Sequence, residues 1–241
     1  MSQDQGTSQP TTATETILVI EDELSLAAGI RDALEHAGYT VSMVHDGEAG
    51  LAAIRQGKFD LVVLDLMLPG ICGLELLKSL RAERHDVRVV ILTALGDEAD
   101  VLRGLEAGAD DYMRKPFSPA ILVARVSAQF RRRDLDSSLP DHLKLTGEIE
   151  VDLERLEVHR GDEVVLLTPR EGDILRYLIE HRDRVVTRDD LLVDVWHYTN
   201  GKVETRTVDI HIVGLRRKIE PDPSQPTLIQ TVRGKGYRWH D

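Results

Sequence analysis

Five short apolar runs, TILVI (16–20), YTVSMV (39–44), DLVVLD (60–65), VRVVIL (87–92) and DDYM (110–113), recur along the first half of the sequence, separated by amphipathic stretches. Strand-length runs alternating with helix-length patterns restrict a chain to βαβ units, because parallel neighbours need a crossover long enough to hold a helix. Helices are expected from near Leu24, Gly47, Gly73 and Glu98, and across Ser118 to Arg133. The fold class that follows is α/β, a doubly wound five-stranded parallel sheet. In such sheets functional groups gather at the carboxyl ends of the strands, near the point where strand order reverses.

A different pattern begins after DLDSSLPDHL (134–143), which reads as a linker from its Asp, Ser and Pro content. Residues 144–168 suggest short antiparallel strands with a turn at RGDE (160–163), followed by helices starting near Pro169, Thr187 and Glu204. Thr168 before Pro169 is the expected order of N-cap and first-turn proline. LIQTVRGKGYRWH (228–240) reads as two strands around a basic, Gly-bearing turn. Residues 1–15 are polar and expected to form a disordered tail, without the basic start and apolar core of a secretory signal. A length of 241 residues at 41% hydrophobic supports two modest cores, and no apolar run is long enough for a bilayer. One cysteine excludes an internal disulfide and suits a reducing cytoplasm, the expected location.

Polar residues terminate four of the five strands: Glu21 and Asp22 after the first, Asp65 at the end of the third, Thr93 after the fourth and Lys115 after the fifth. A parallel sheet brings these to one edge. Three carboxylates there repel one another and call for a divalent cation, and hard oxygen ligands open to water suit Mg²⁺. A carboxylate beside Mg²⁺, an ammonium and a hydroxyl are suited to accepting a phosphoryl group. Taken singly, Glu21 and Asp22 equally suit the N-terminus of the following helix, Thr93 a helix cap and Lys115 a solvated loop. Their joint occurrence at successive strand ends favours the site.

IEDE (20–23), LVVLDLMLPG (61–70), ILTA (91–94) and GADDYMRKPFSP (108–119) resemble the receiver domain of bacterial two-component response regulators over residues 16–133. The resemblance implies that Asp65 is the phospho-acceptor and that Glu21, Asp22, Asp65 and the backbone carbonyl of Met67 hold Mg²⁺. It implies that Lys115 pairs with the phosphoryl oxygens, that Thr93, with Ala94 beside it, engages the phosphate, that Tyr112 turns inward as Thr93 moves, and that the Lys115–Pro116 bond is cis.

The formal charge of −12 argues against nucleic acid at first sight, and both halves are net acidic. Basic residues nevertheless outnumber acidic ones from Val195 onward, giving a local face compatible with DNA. Val208, Ile212, Leu215 and Ile219 recur at helical spacing and are expected in the core, leaving Arg206, Ile210, Val213 and Arg217, flanked by His211, Gly214 and Lys218, on the other side. A solvated amphipathic helix has the same pattern, but the basic turn VRGKGYR (232–238) favours a groove-reading helix whose Arg233 probes the minor groove. LTPREGDILRYL, VVTRDDLL, VWHY, TRTVDIHIVGLRRKIE and LIQTVRGKGYR resemble the winged helix-turn-helix effector of the OmpR/PhoB class, here residues 144–241. That resemblance implies a transcription regulator controlled by a sensor histidine kinase. DNA contacts are implied at Arg206, Thr207, Ile210, His211, Val213, Gly214, Arg216, Arg217, Arg233 and Lys235. A phosphorylation-dependent homodimer is implied through Arg103, Glu106, Asp110, Asp111 and Arg125, and RNA polymerase contact through WHYTNGK (196–202).

Three departures from the family pattern carry expectations of their own. Ile121 stands where many members have an acid, so Arg103 lacks one partner and the dimer is expected to be weak. Met67 and Leu95, two residues past Asp65 and Thr93, are apolar and orient an attacking water poorly, so a long-lived aspartyl phosphate is expected. Cys72 stands where an oxygen-bearing cap of the third helix belongs, and is expected to be a weak cap rather than a redox sensor. The chain is not expected to be an enzyme beyond assisting its own phosphotransfer and dephosphorylation: phosphatases that work through an aspartate place it on the first strand with a second acid two residues later, whereas Asp65 is followed by Leu66 and Met67.

Overall fold

The computed structural model describes residues 15–94, 98–130, 139–147, 149–198 and 206–240. Nearly all of the polar tail, the first half of the linker, Leu95 and the part of WHYTNGK beyond Tyr198 lie outside them. The first domain alternates β1 (Thr16–Ile20), α1 (Leu24–His36), β2 (Thr40–Val44), α2 (Gly47–Gln56), β3 (Leu61–Asp65), α3 (Gly73–Ala82), β4 (Arg88–Thr93), α4 (Glu98–Glu106), β5 (Asp111–Arg114) and α5 (Pro119–Phe130). All pairings are parallel in the order β2-β1-β3-β4-β5, so the order reverses between β1 and β3.

Alternate strand residues serve opposite faces, as strand geometry requires. Leu18, Ile20, Val62, Leu64 and Ile91 pack with Leu51, Leu76, Leu80 and Leu105 of α2, α3 and α4. Ile17, Val19, Val63, Val90 and Leu92 pack with Ile30, Leu34, Leu122 and Val126 of α1 and α5. Because both faces are covered, all five residues of β3 are buried, which explains its unbroken apolar reading.

The second domain opens with an antiparallel sheet of β6 (His142–Lys144), β7 (Ile149–Asp152), β8 (Glu157–Arg160) and β9 (Glu163–Leu166). The reading of 134–143 as linker thus runs two residues too far: His142 and Leu143 pair with Asp152 and Val151. A three-residue edge strand preceded by Pro140 and Asp141 has a linker's composition. Three helices follow, α6 (Pro169–Glu180), α7 (Arg188–Asp194) and α8 (Arg206–Ile219). A small sheet, β10 (Val186–Thr187), β11 (Ile229–Val232) and β12 (Gly236–Trp239), has the order β10-β12-β11. Val208, Ile212, Leu215 and Ile219 are fully buried, as their spacing predicts. Buried Glu220 closes α8 and accepts the backbone N–H groups of Thr227, Leu228 and Ile229, pinning the start of the hairpin to the helix. Among the described residues no helix is long and apolar enough to cross a membrane.

Candidate functional site

At the carboxyl edge of the parallel sheet, Glu21, Asp22 and Asp65 each place a carboxylate oxygen within 4.8 Å of the others. Glu21 and Asp65 are buried and Asp22 is exposed, so the cluster has one side open to water. Lys115 Nζ donates to Asp65 Oδ2 at 2.6 Å and to Glu21 Oε1 at 2.9 Å. Glu21 Oε2 lies 2.8 Å from the same ammonium, so one lysine faces both oxygens of one buried acid and an oxygen of a second. Burial, and then repulsion from Asp65, holds the Glu21 carboxyl above its usual range against the opposing bond from Lys115. Burial pulls Lys115 down, but its bonds to Asp65 and Glu21 together outweigh that and hold it above its ordinary value. Three acids facing one ammonium, open on one side, fit a hard divalent cation that keeps water ligands.

The surrounding loops are set by short backbone contacts. Met67 N–H donates to Asp65 Oδ1 at 3.0 Å, and the Met67 side chain stands 69% exposed beside the pocket. Thr93 is buried and its carbonyl accepts Lys115 N–H at 2.7 Å, while Ala94 is exposed. The Lys115–Pro116 peptide is cis. Tyr112 is buried in the same cluster as Val101 and Leu105 of α4. Cys72 at the N-cap of α3 provides no side-chain capping bond; Glu75 reaches back to Cys72 N–H at 3.4 Å.

The other end of β5 carries a seam between the two domains. Asp110 is fully buried; its carboxylate accepts Val89 N–H at 2.8 Å, Arg81 at 3.4 Å and the Arg170 N–H of α6 at 3.0 Å. Its carbonyl accepts Trp196 Nε1 at 3.2 Å and Arg170 Nε at 3.3 Å. The Arg170 guanidinium, 1% exposed, also donates to Val195 O and to Gln129 of α5 and lies over the Trp196 ring at 4.7 Å. Next to it, Asp111 accepts from Arg125 at 2.9 Å and from the Tyr198 hydroxyl. Arg88–Asp173 (3.0 Å) and Arg84–Glu157 (3.1 Å) add ion pairs at the rim. Gly108, at φ +102°, adopts a backbone conformation that favours glycine, in the turn that brings Thr168 against the receiver.

Helix α8 is drawn into this seam. His211 is buried, with Nδ1 2.8 Å from Thr207 O and Nε2 3.1 Å from Ala109 O, and its ring meets Trp196 edge-on. Burial, with Arg170 nearby, pushes His211 below its ordinary range against the Thr207 bond and the charges of Glu171 and Asp110. Ile210 packs on the receiver cluster of Val101, Leu105 and Ala109.

The residues expected to contact DNA therefore divide. Arg206, Val213 and Arg217 on α8, and Arg233 and Lys235 at the hairpin turn, are exposed. Thr207 and His211 are buried instead, because they lie on the flank of α8 that meets the core and the receiver. Arg216 is tied to β11, donating to Ile229 O at 3.0 Å and Thr231 Oγ1 at 2.8 Å. Gly214 leaves room for a neighbouring side chain: a Cβ there would stand 2.9 Å from Glu171 Oε1. Glu171 in turn accepts Thr168 N–H at 2.7 Å and Lys218 at 2.6 Å, so it caps α6 and ties α8 at once.

The residues expected at a dimer contact divide as well. Arg103 pairs with Asp100 on its own helix and Ile121 is 54% exposed; Glu106 is exposed. Asp110, Asp111 and Arg125 are engaged within the chain. The sequence reading missed Arg170 and Gln129, which no local pattern marks, and put Trp196 in a polymerase-facing loop, whereas it is fully buried in the seam.

Residues 17–127 match the response regulator receiver domain family, and residues 161–239 match the family described as transcriptional regulatory protein, C terminal. The chain is 43% identical over 227 residues to the DNA-binding response regulator MtrA of Mycobacterium tuberculosis, covering 94% of this chain and 97% of that one. It is 42% identical over 224 residues to the sensory transduction protein RegX3 of the same species, covering 92% and 98%. Among solved structures, a cysteine-to-serine variant of RitR gives a TM-score of 0.78 at 33% identity, covering 94% of this chain and 99% of that one. DrrB of Thermotoga maritima, an OmpR/PhoB homologue, gives 0.51 at 34% identity over 95% and 100%. At nearly equal coverage, the chain superposes more closely on the RitR variant than on DrrB. With an acidic pocket at the strand ends, a DNA-binding domain of the matching type and relatives similar from end to end, the chain belongs to the OmpR/PhoB family of DNA-binding response regulators.

Proposed function

We propose that Asp65 accepts a phosphoryl group from the phosphohistidine of a sensor kinase, and that this transfer releases α8 from the receiver to bind promoter DNA. The observation that carries the proposal is that one short strand, β5, has the pocket lysine Lys115 just past its end and the seam residues Asp110 and Asp111 at its start. In the transfer, an Asp65 carboxylate oxygen attacks phosphorus, the N–P bond breaks, and the imidazole leaves as the acyl phosphate forms. Lys115, already on Asp65 Oδ2, is placed to follow the charge onto the phosphoryl oxygens, with the Thr93 hydroxyl as a further donor. Glu21, Asp22, Asp65 and the Met67 carbonyl are the expected ligands of Mg²⁺, which when bound neutralises phosphoryl charge.

In the closed chain, Ile210 is packed on the receiver, so major-groove binding by α8 and closure exclude each other. A receiver dimer through Arg103, Glu106, Asp110, Asp111 and Arg125 likewise requires opening, since Asp110, Asp111 and Arg125 bond across the seam to Arg170 and Tyr198. Ile121 in place of an acid favours a weak dimer. The RNA polymerase contact expected at 196–202 includes Trp196, fully buried in the seam, and Tyr198, bonded to Asp111, so we assign that contact to the opened chain; the cytoplasm is the expected location. Like its family the chain is not an enzyme of external substrates; its chemistry is confined to its own aspartyl phosphate.

Mixing the full chain with acetyl phosphate and Mg²⁺ and measuring promoter binding tests the proposal. Wild type is expected to gain affinity, and Asp65→Ala to take up no phosphate and gain none. An equal gain in both proteins would sink the reading.

A further inference from the structure

The structure narrows the groove-reading surface of α8 to an unusual set. Arg206, Ile210, Val213 and Arg217 follow the i, i+4, i+7, i+11 spacing of a single stripe, opposite the fully buried Val208, Ile212, Leu215 and Ile219. Polar side chains beside that stripe are engaged within the second domain itself, where opening leaves their bonds in place: Asp209 is bound by Arg188 at 2.7 Å, Arg216 to β11 and Lys218 to Glu171. Gly214, next to Val213, has no side chain, and its space is occupied by the Glu171 carboxylate. The middle of the stripe is therefore apolar. Val213, 43% exposed, is the most outward of its apolar groups and is not required by the core.

An exposed valine between two arginines on a DNA-contacting helix offers an apolar contact and no hydrogen bond to whatever base it faces. The major groove offers one prominent apolar group, the C5-methyl of thymine. We infer that Val213 is a specificity-determining residue that reads a thymine methyl in each half-site, with Ile210 one turn earlier on the same stripe. Arginines at the ends of the stripe hold the phosphates or guanines on either side. The inference rests on the reading of α8 as the DNA-contacting helix, and it names the chemistry that helix selects.

Replacing thymine by uracil removes only the methyl group and keeps every base-pair hydrogen bond. DNA is first enriched from a random pool by the full chain treated with acetyl phosphate and Mg²⁺. Each thymine of the enriched site is then replaced in turn by uracil, and binding is measured with wild type and with Val213→Ala. At one thymine per half-site the replacement is expected to weaken wild type about fourfold, the worth of one buried methyl. The same replacement is expected to change Val213→Ala binding by less than about 1.5-fold, because the partner of that methyl is gone. Uracil tolerated at every position, or an equal thymine preference in both proteins, would overturn the inference while leaving α8 as a DNA-binding helix. Failure to enrich any sequence would overturn the DNA-contact reading beneath it as well.

Discussion

Lys115 and Asp110 stand at opposite ends of β5, about 15 Å apart at strand rise, and the sites around them hold charge in contrasting ways. In the pocket three carboxylates stand together, and one ammonium, that of Lys115, meets two of them, Glu21 and Asp65. In the seam, the Asp110 carboxylate is met by a backbone N–H and a guanidinium of its own domain and by a backbone N–H of the other. One site is short of positive charge and so responds to a cation or a phosphoryl group. The other is satisfied only while the domains touch. A strand that joins an incomplete site to a complete one can pass the state of the first to the second, because buried polar groups tolerate few intermediate positions.

The contrast can be broken most severely from the pocket side. Chelating Mg²⁺ is expected to stop phosphate uptake from acetyl phosphate, slowing it by at least about 100-fold, while leaving the seam intact; radiolabel incorporation checks the first and small-angle scattering the second. From the seam side, Arg170→Ala leaves its backbone N–H on the Asp110 carboxylate but strips the Asp110 carbonyl, the Val195 carbonyl and Gln129 of a buried donor, a change worth about 3 kcal/mol. The unphosphorylated variant is expected to bind promoter DNA on the order of 100-fold more tightly than unphosphorylated wild type, and fluorescence anisotropy would show it. Unchanged affinity would mean that the seam does not restrain α8.

A smaller effect belongs to acidity. His211 sits below its ordinary pKa only while buried, so closure favours its neutral form and is at full strength above about pH 6.5. Closure weakens as pH falls below that value, because the opened chain takes up the proton the closed one resists. Between pH 7.5 and 5.5 the DNA affinity of the unphosphorylated chain is expected to rise about three- to tenfold more than that of His211→Gln. The smallest effect is local to the pocket side. Cys72→Ser supplies the missing oxygen cap of α3 and is expected to add about 1 kcal/mol, or roughly 2–4 °C of thermal midpoint, without changing phosphate uptake.

The pocket was legible because each of its residues ends or follows a strand, and strand ends can be read from apolar runs. The seam was not, because it depends on how two domains meet. Arg170, followed by Glu171 and Asp173, looks like the solvated first turn of a helix, yet it is buried in the interface. Thr207 and His211 are polar residues beside a basic stripe and so read as DNA contacts; the receiver that covers them leaves no mark in α8. Gly214 read as one more residue of the DNA-facing side, with no sign that the carboxylate of Glu171 lies against it. Even β6 was absorbed into a linker, since three residues give too little alternation to reveal a strand.

The meeting of Arg170 with Asp110 also bears on how such regulators can be recombined. A receiver and an effector taken from different relatives each bring a finished core, so a hybrid is expected to fold. Its restraint, however, requires a carboxylate beside β5 to meet the backbone N–H of a helix start on the other half, and a buried guanidinium there to find a backbone carbonyl in return. A mismatched hybrid would be soluble, intact and permanently switched on, so transplanting a sensor onto a new set of genes means carrying both halves of that pair across together.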